Sequence, residues 1–411
     1  MAQQGSQSQA GALAGVRVLD LGGEVAAAYC AALFAANGAD VLRIEPPAGD
    51  VVRRLPPFAE GVARPEGSGM QMFLDAGKRS LALDHSAPRG AEIVRALARD
   101  ADLVIEALPP ERAEALDLPA AAPDAVHLSL SWFGREGPGR DWRGTDAVAM
   151  AAGAFLYPIG PEEGPPLVPG GHQSQINGGL VGYVAAMTAL MAREAGDGGA
   201  RVDLSLAEAQ AAYAESGAVR FAYDGVPPRN RKGVNLFPPI APQTIFPCAD
   251  GWVGVTCVTP MQWRAMCTLV GAPELADDPR FAASFSRFDN IEALYAELVP
   301  RLKTKPAAYW FHEGQKARIP TALVPTMEDL STLDHLRARE AFGRFEHPDA
   351  PAFEAPAIPW KMSGTPPARG GRAPRLGEHG REVLSERLGL SSSDIDALIA
   401  QGVLHAPELV A

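Results

Sequence analysis

The sequence predicts an α/β protein: a Rossmann-like lobe on an open parallel sheet, followed by a smaller α+β lobe. Three observations carry this reading. Apolar strands alternate with Ala-rich helices through the first 130 residues. The first of those strands runs into Gly22-Gly23 and a helix, giving strand, helix and strand within about 30 residues, as a βαβ unit requires. Beyond Asp224 the alternation stops in a Pro-rich stretch, and a different pattern begins.

Val16-Arg17-Val18-Leu19-Asp20-Leu21 reads as the first strand, and the helix after it runs from Ala26 to Ala36, stopped by Asn37-Gly38. The second strand is Asp40–Glu45, closed by Pro46-Pro47. Right-handed crossover makes the two strands parallel neighbours. A helix over Pro88–Asp100 precedes the strand Leu103–Glu106, and a short Ala/Pro-rich helix precedes the strand Val126–Leu130. Repeated alternation of this kind belongs to a parallel sheet covered on both faces. The Gly22-Gly23 turn lacks G-x-G-x-x-G, so a nicotinamide cofactor is not expected. A Pro/Gly-rich loop, Tyr157–Gly171, leads into a long helix from about Gln175 to Arg193. Its Leu180, Tyr183, Val184, Met187, Leu190 and Met191 fit the 3.6-residue period of a deeply buried helix. After Gly196-Asp197-Gly198-Gly199 come the strand Arg201–Ser205 and an Ala-rich helix to about Tyr223.

These elements divide the chain into a polar tail (1–12), a large lobe (13–224), a linker (225–242), a small α+β lobe (243–334) and a return segment completing the large lobe (335–411). The linker holds Arg229, Arg231 and Lys232 among its prolines. The small lobe opens with a hairpin at Ala249-Asp250-Gly251 and continues with two or three helices to about Glu328. A Pro/Gly-rich stretch, Pro348–Pro374, leads to one last helical segment, Arg381–Gln401.

Composition narrows the function. A net charge of −12 argues against nucleic acid as the main partner, because phosphate backbones need clustered Lys and Arg. Cys30, Cys248, Cys257 and Cys267 show no ligand spacing, so neither a zinc site nor a disulfide framework is expected. The start has no cationic and apolar leader pattern, and no uncharged run of 18 apolar residues exists. A cytoplasmic protein is expected.

An ordered series of segments then resembles one family. LAGVRVLDLG, GADVLRIEPPAGDVVRR, GKRSLALD, ADLVIEALPP, SLSWFGREGPGRDWRGTD, RVDLSLAEA, DGWVGV, QWRAMCTLVG, LADDPRF and PRLGEHGREVL follow each other as in the class III CoA-transferases of CaiB/BaiF type. That family includes formyl-CoA transferase, carnitine CoA-transferase and α-methylacyl-CoA racemase. The resemblance implies an interlaced dimer and CoA or acyl-CoA as substrate, with no permanently bound cofactor and no metal. It also implies an aspartate that attacks the acyl-CoA thioester to form a mixed anhydride.

The gap-free match through the long helix puts Gln175 where that aspartate is expected. A neutral amide cannot form the anhydride, although it can hydrogen-bond a thioester. Other departures point the same way: Ala26-Ala27-Ala28 replaces Ala-Gly-Pro, Glu106-Ala107-Leu108 replaces Glu-Asn-Phe, and Ala115 stands where some members carry an Arg contacting CoA. The lid of formyl-CoA transferase has no counterpart in Asn235–Ile240. By the same resemblance Arg53, Lys78, Arg79 and Arg143 are candidates for CoA phosphates, with structural salt bridges the other reading of the first three. His172 is a candidate base or a hydrogen-bonding fixture; Asp146 orients the site or caps a helix.

Three functions remain open. The chain is the non-catalytic subunit of a CoA-transferase whose paralogue bears the aspartate, as in benzylsuccinate CoA-transferase. Alternatively it is a racemase or another CoA-thioester enzyme with different chemistry. The third is an acyl-CoA-binding homodimer without turnover. The first is preferred, with CoA moving from a donor such as succinyl-CoA to an organic acid. Racemization ranks lower because Thr145 stands where that branch carries a His base.

Overall fold

The computed structural model describes residues 11–161, 163–225 and 240–407. Most of the expected tail, the linker cations Arg229, Arg231 and Lys232, and the start of the Asn235–Ile240 segment lie outside the described residues. The chain forms two compact units. One comprises Met1–Phe155, Pro169–Glu215 and Asp334–Ala411, the other Leu156–Val168 and Ser216–Leu333.

The larger unit is built on β1 (Arg17–Asp20), β2 (Asp40–Glu45), β3 (Arg79–Leu83), β4 (Leu103–Glu106), β5 (Val126–Ser131) and β6 (Ala200–Ser205). They lie in the order β3-β2-β1-β4-β5-β6, all parallel. Leu404–His405 adds a short antiparallel edge strand to β3. The chain moves outward from β1 to β3, then returns to the other side of β1 to start β4. That reversal leaves a crevice at the carboxyl ends of β1 and β4, where open α/β sheets bind ligands.

Helix Val25–Ala36 follows β1, with Ala26, Ala27, Ala28, Cys30 and Ala31 fully buried. Side chains this small let a second helix, Gln173–Ala192, approach its backbone. At Gly179 the approach is closest: a Cβ there would lie 2.6 Å from the Ala26 carbonyl oxygen. Gly179→Ala should therefore cost about 3 kcal/mol by urea denaturation, the upper end for overpacking, because the obstruction is backbone that cannot rotate away.

The long helix is less enclosed than its periodicity predicts. Leu180, Val184 and Met191 are 38%, 59% and 69% exposed. Its apolar residues sweep more of the circumference than the sheet and its neighbours in this chain cover, so the apolar pattern overstates burial.

The smaller unit holds an antiparallel sheet of β7 (Gln243–Pro247), β8 (Trp252–Thr256) and β9 (Thr321–Leu323). The expected hairpin is there, closed by the Cys248 amide on the Gly251 carbonyl at 2.8 Å. Four α-helices, not two or three, lie between β8 and β9: Pro260–Leu269, Ser284–Asp289, Ile291–Leu302 and Ala307–Lys316.

The return segment differs from its loop-like reading. It folds into a sheet of β10 (Phe342–His347), β11 (Ala350–Pro356) and β12 (Gly370–Arg372), because an alternating pattern persists between the prolines. The final helical segment is two helices, Gly380–Leu388 and Ser392–Ala400. Gly389 at φ 64° ends the first, and Ser391 with Asp394 forms a capping box that starts the second. Among the described residues no helix is long and apolar enough to cross a membrane, and no three His, Cys, Asp or Glu side chains are grouped to hold a metal ion.

Candidate active site

The crevice between β1 and β4 is set by Gly22 and Gly23, both at positive φ. At Gly23 a Cβ would lie 2.3 Å from the Ala107 carbonyl oxygen, so only glycine lets the loops after β1 and β4 meet. The turn delivers Glu24 as the N-cap residue of helix Val25–Ala36, yet the Glu24 side chain makes no cap hydrogen bond. An orphan amide of that helix is satisfied from elsewhere. Gln175 Oε1 accepts from the Ala26 amide at 3.3 Å.

Gln175 is 4% exposed and held at both ends. Its Nε2 donates to Asp146 Oδ2 at 3.0 Å, and its backbone amide donates to Asp146 Oδ1 at 3.2 Å. Ser174 Oγ donates to the same Oδ1 at 2.7 Å, and His172 Nδ1 lies 3.4 Å from Oδ2. Asp146 thus caps the long helix rather than its own; Thr145 caps helix Asp146–Ala152 by accepting from the Val148 amide. The structure therefore brings three of the predicted residues, Asp146, His172 and Gln175, into one cluster.

Two residues the sequence reading passed over complete it. Trp132, following β5, donates from its indole nitrogen to Glu24 Oε1 at 3.2 Å. Its ring also packs on Gly144, where a Cβ would lie 2.4 Å from Trp132 Cγ, which ties Glu24 to the segment bearing Asp146. The signal for Glu24 was present: a single carboxylate heads a helix that is otherwise Ala-rich and uncharged.

The two carboxyls of this site are pushed in opposite directions. Burial alone would raise Asp146, but the hydrogen bonds from Gln175, Ser174 and His172 outweigh it and hold the group below its usual range. Burial raises Glu24 to about 7; the Trp132 bond opposes that, and the charges of Asp50 and Asp146 add to it. Near neutral pH Asp146 is ionised and Glu24 is divided between its two forms.

The predicted cations lie elsewhere. Lys78 is buried with its Nζ on Asp20 Oδ2 (3.0 Å), Asp75 Oδ1 (2.9 Å) and the Ala28 carbonyl (3.0 Å). Arg53, also buried, bonds both Glu45 oxygens, Glu66 and the Pro374 carbonyl. Arg43, beneath them, pairs with Asp20 and Asp50. Arg79 is at the sheet edge, bidentate to Asp40. Arg143 is exposed, three residues before Asp146.

Two unlike carboxylates and a fixed amide thus stand together at the switch point of an open α/β sheet, the place where proteins of this class bind ligands. The family model for CoA-transferase family III matches residues 13–380, and the chain belongs to that family. Among its relatives is the succinyl-CoA:mesaconate CoA-transferase of Haloarcula marismortui, 31% identical over 386 residues covering 92% of this chain and 96% of the relative. The succinyl-CoA–D-citramalate CoA-transferase of Chloroflexus aurantiacus is 30% identical over 404 residues, covering 95% and 97%. A CaiB/BaiF family protein from Brucella suis shares the fold at a TM-score of 0.81 and 27% identity, over 92% of this chain and all of that one.

Proposed function

We propose that this chain is a subunit of a class III CoA-transferase that moves CoA from a donor such as succinyl-CoA to an organic acid, and that Gln175 takes no covalent part. The observation that carries this is the bonding of Gln175. Its amide bridges Asp146 and the head of helix Val25–Ala36, a fixture's role that leaves no nucleophile at the position. Several relatives carry succinyl-CoA in their names as CoA-transferases, which supports the donor. The aspartyl-anhydride route then falls to an aspartate-bearing paralogue in the same cytoplasmic assembly. The exposed apolar face at Leu180, Val184 and Met191 supports burial against another chain. Asp146 and His172 are read as positioning groups for Gln175. Arg53 and Lys78 have their donors engaged within the protein, so Arg143 is the stronger candidate for a CoA phosphate. Racemization is not favoured, because the Thr145 hydroxyl is engaged as a helix cap.

The native mass of the assembly, with each subunit identified, tests this. A heteromer containing an aspartate-bearing homologue is the expected result; a homomer with no CoA exchange overturns it. A second reading, turnover by this chain without such a paralogue, is favoured by one specific observation, the half-buried Glu24 carboxylate, whose Oε2 receives no hydrogen bond among the described residues.

A further inference from the structure

We propose that Glu24 is the nucleophilic carboxylate of this chain, taking at the β1/β4 crevice the role that position 175 has lost. The proposal rests on the CoA-transfer reading above and removes, for a homomeric assembly, the need for a paralogue.

Three features single out Glu24. First, it is placed at the switch point, on the turn after β1 where the loop after β4 comes closest. Second, it is joined to the Gln175 position through one short path: Ala26, two residues on, donates to Gln175, which donates to Asp146. Third, it is the carboxylate of this cluster that is available. Each Asp146 oxygen faces two donors, which spreads its charge and fixes its position. Glu24 accepts one hydrogen bond, from Trp132 to Oε1, and among the described residues no hydrogen bond reaches Oε2. Its environment agrees. Asp50 after β2 and Asp146 before the long helix both disfavour its charge, as burial does, so its anion is more basic than an exposed carboxylate and attacks carbonyl carbon more readily.

The chemistry balances without a further reactant. Glu24 Oε2 attacks the thioester carbonyl and the C–S bond breaks, releasing CoA thiolate and leaving a mixed anhydride on Glu24. The thiolate attacks Glu24 Cδ, and the donor acid leaves as carboxylate with the bridging oxygen, giving a Glu24–CoA thioester. The acceptor carboxylate attacks Cδ and expels the thiolate, forming a second anhydride. Attack of the thiolate on the acceptor's acyl carbon yields the new acyl-CoA and restores the Glu24 carboxylate.

Isotope exchange tests the step without knowledge of the acceptor. Labelled succinate is followed into succinyl-CoA, and labelled acetate into acetyl-CoA, on the purified full chain, with hydroxylamine trapping in parallel. Expected are a hydroxamate on the peptide bearing Glu24, an exchange rate that rises with pH to a plateau above about 7, and a loss on the order of a thousandfold in Glu24→Gln. Thermal melting guards against misfolding. A carboxyl whose folded pKa is raised from 4.5 to about 7 costs stability as pH rises through that interval. Glu24→Gln should thus melt near the wild type at pH 4.5 and above it at pH 8. Exchange that is undiminished in Glu24→Gln, with no adduct on that peptide, overturns the assignment of Glu24 and leaves CoA transfer standing. Absence of both exchange and adduct on the purified chain overturns the assignment of Glu24 and is the result the non-catalytic-subunit reading expects; absence of exchange from the native assembly as well overturns the CoA-transfer reading.

Discussion

Lys78→Met should lose about 3–5 kcal/mol of folding stability at pH 7, the range for removing one partner of a buried ion pair. Lys78 joins Asp20 at the end of β1 to Asp75, and all three side chains are out of reach of solvent. Asp20 keeps both Arg43 contacts when Lys78 is removed. Asp75 does not fare as well, because its Oδ2 already lacks a partner. Burial raises the Asp75 carboxyl, and Lys78 first, then Arg43 and Arg53, pull it below its usual range. In the wild type that depression stabilises the fold above the unfolded carboxyl pKa and is lost as pH falls through the lower folded value. Without Lys78 the sign reverses: Asp75 is raised, and the variant should recover stability as pH falls toward 5. Urea denaturation at pH 7 and pH 5 measures this. Adding Asp75→Asn to Lys78→Met should restore at least half of the loss by removing the unpaired charge. A loss under about 1 kcal/mol would mean that Lys78 is solvated in solution, as a phosphate ligand would be.

The residues that make this network were legible in the sequence as a family pattern, but their use was not. Arg53 and Lys78 stand in motifs that suit phosphate contact, and sequence cannot distinguish a cation facing solvent from one facing Glu45 or Asp20. That distinction depends on where β1, β2 and β3 end relative to each other, a non-local property. The parallel strands were readable because each is an apolar run with a helix after it. β3 is hard to read as a strand because Lys78 precedes it and Arg79 opens it, and the hairpin of β10 and β11 because prolines interrupt its alternation. Gln175 was readable because a gap-free helix fixed its position. Glu24 was visible only as a lone carboxylate heading an uncharged helix; its meaning comes from Trp132 and Asp146, more than 100 residues away in the chain.

Gln175→Asp should create CoA exchange that survives Glu24→Gln, and it should do so at a loss of stability. The new carboxylate is one methylene shorter than the glutamine, so it falls short of the Ala26 amide at the head of the first helix. It also replaces a donor with an acceptor opposite Asp146 Oδ2. Two neighbouring carboxylates disfavour each other's ionisation, so the new group is raised and takes up a proton more readily than an isolated aspartate. Together these changes should cost about 1–3 kcal/mol. Gln175→Asn has the same shortening without the charge, so the difference between the two variants at pH 8 isolates the repulsion. That difference should shrink toward pH 5 as the proton is taken up. Equal stability of the two at both pH values would mean that Asp146 does not face position 175. Exchange appearing in Gln175→Asp and absent from Gln175→Asn would place a thioester within reach of the long helix's first turn. If neither variant exceeds the wild type, restoring the aspartate alone does not restore transfer, and the pocket around position 175 has departed from the catalytic arrangement beyond that one residue.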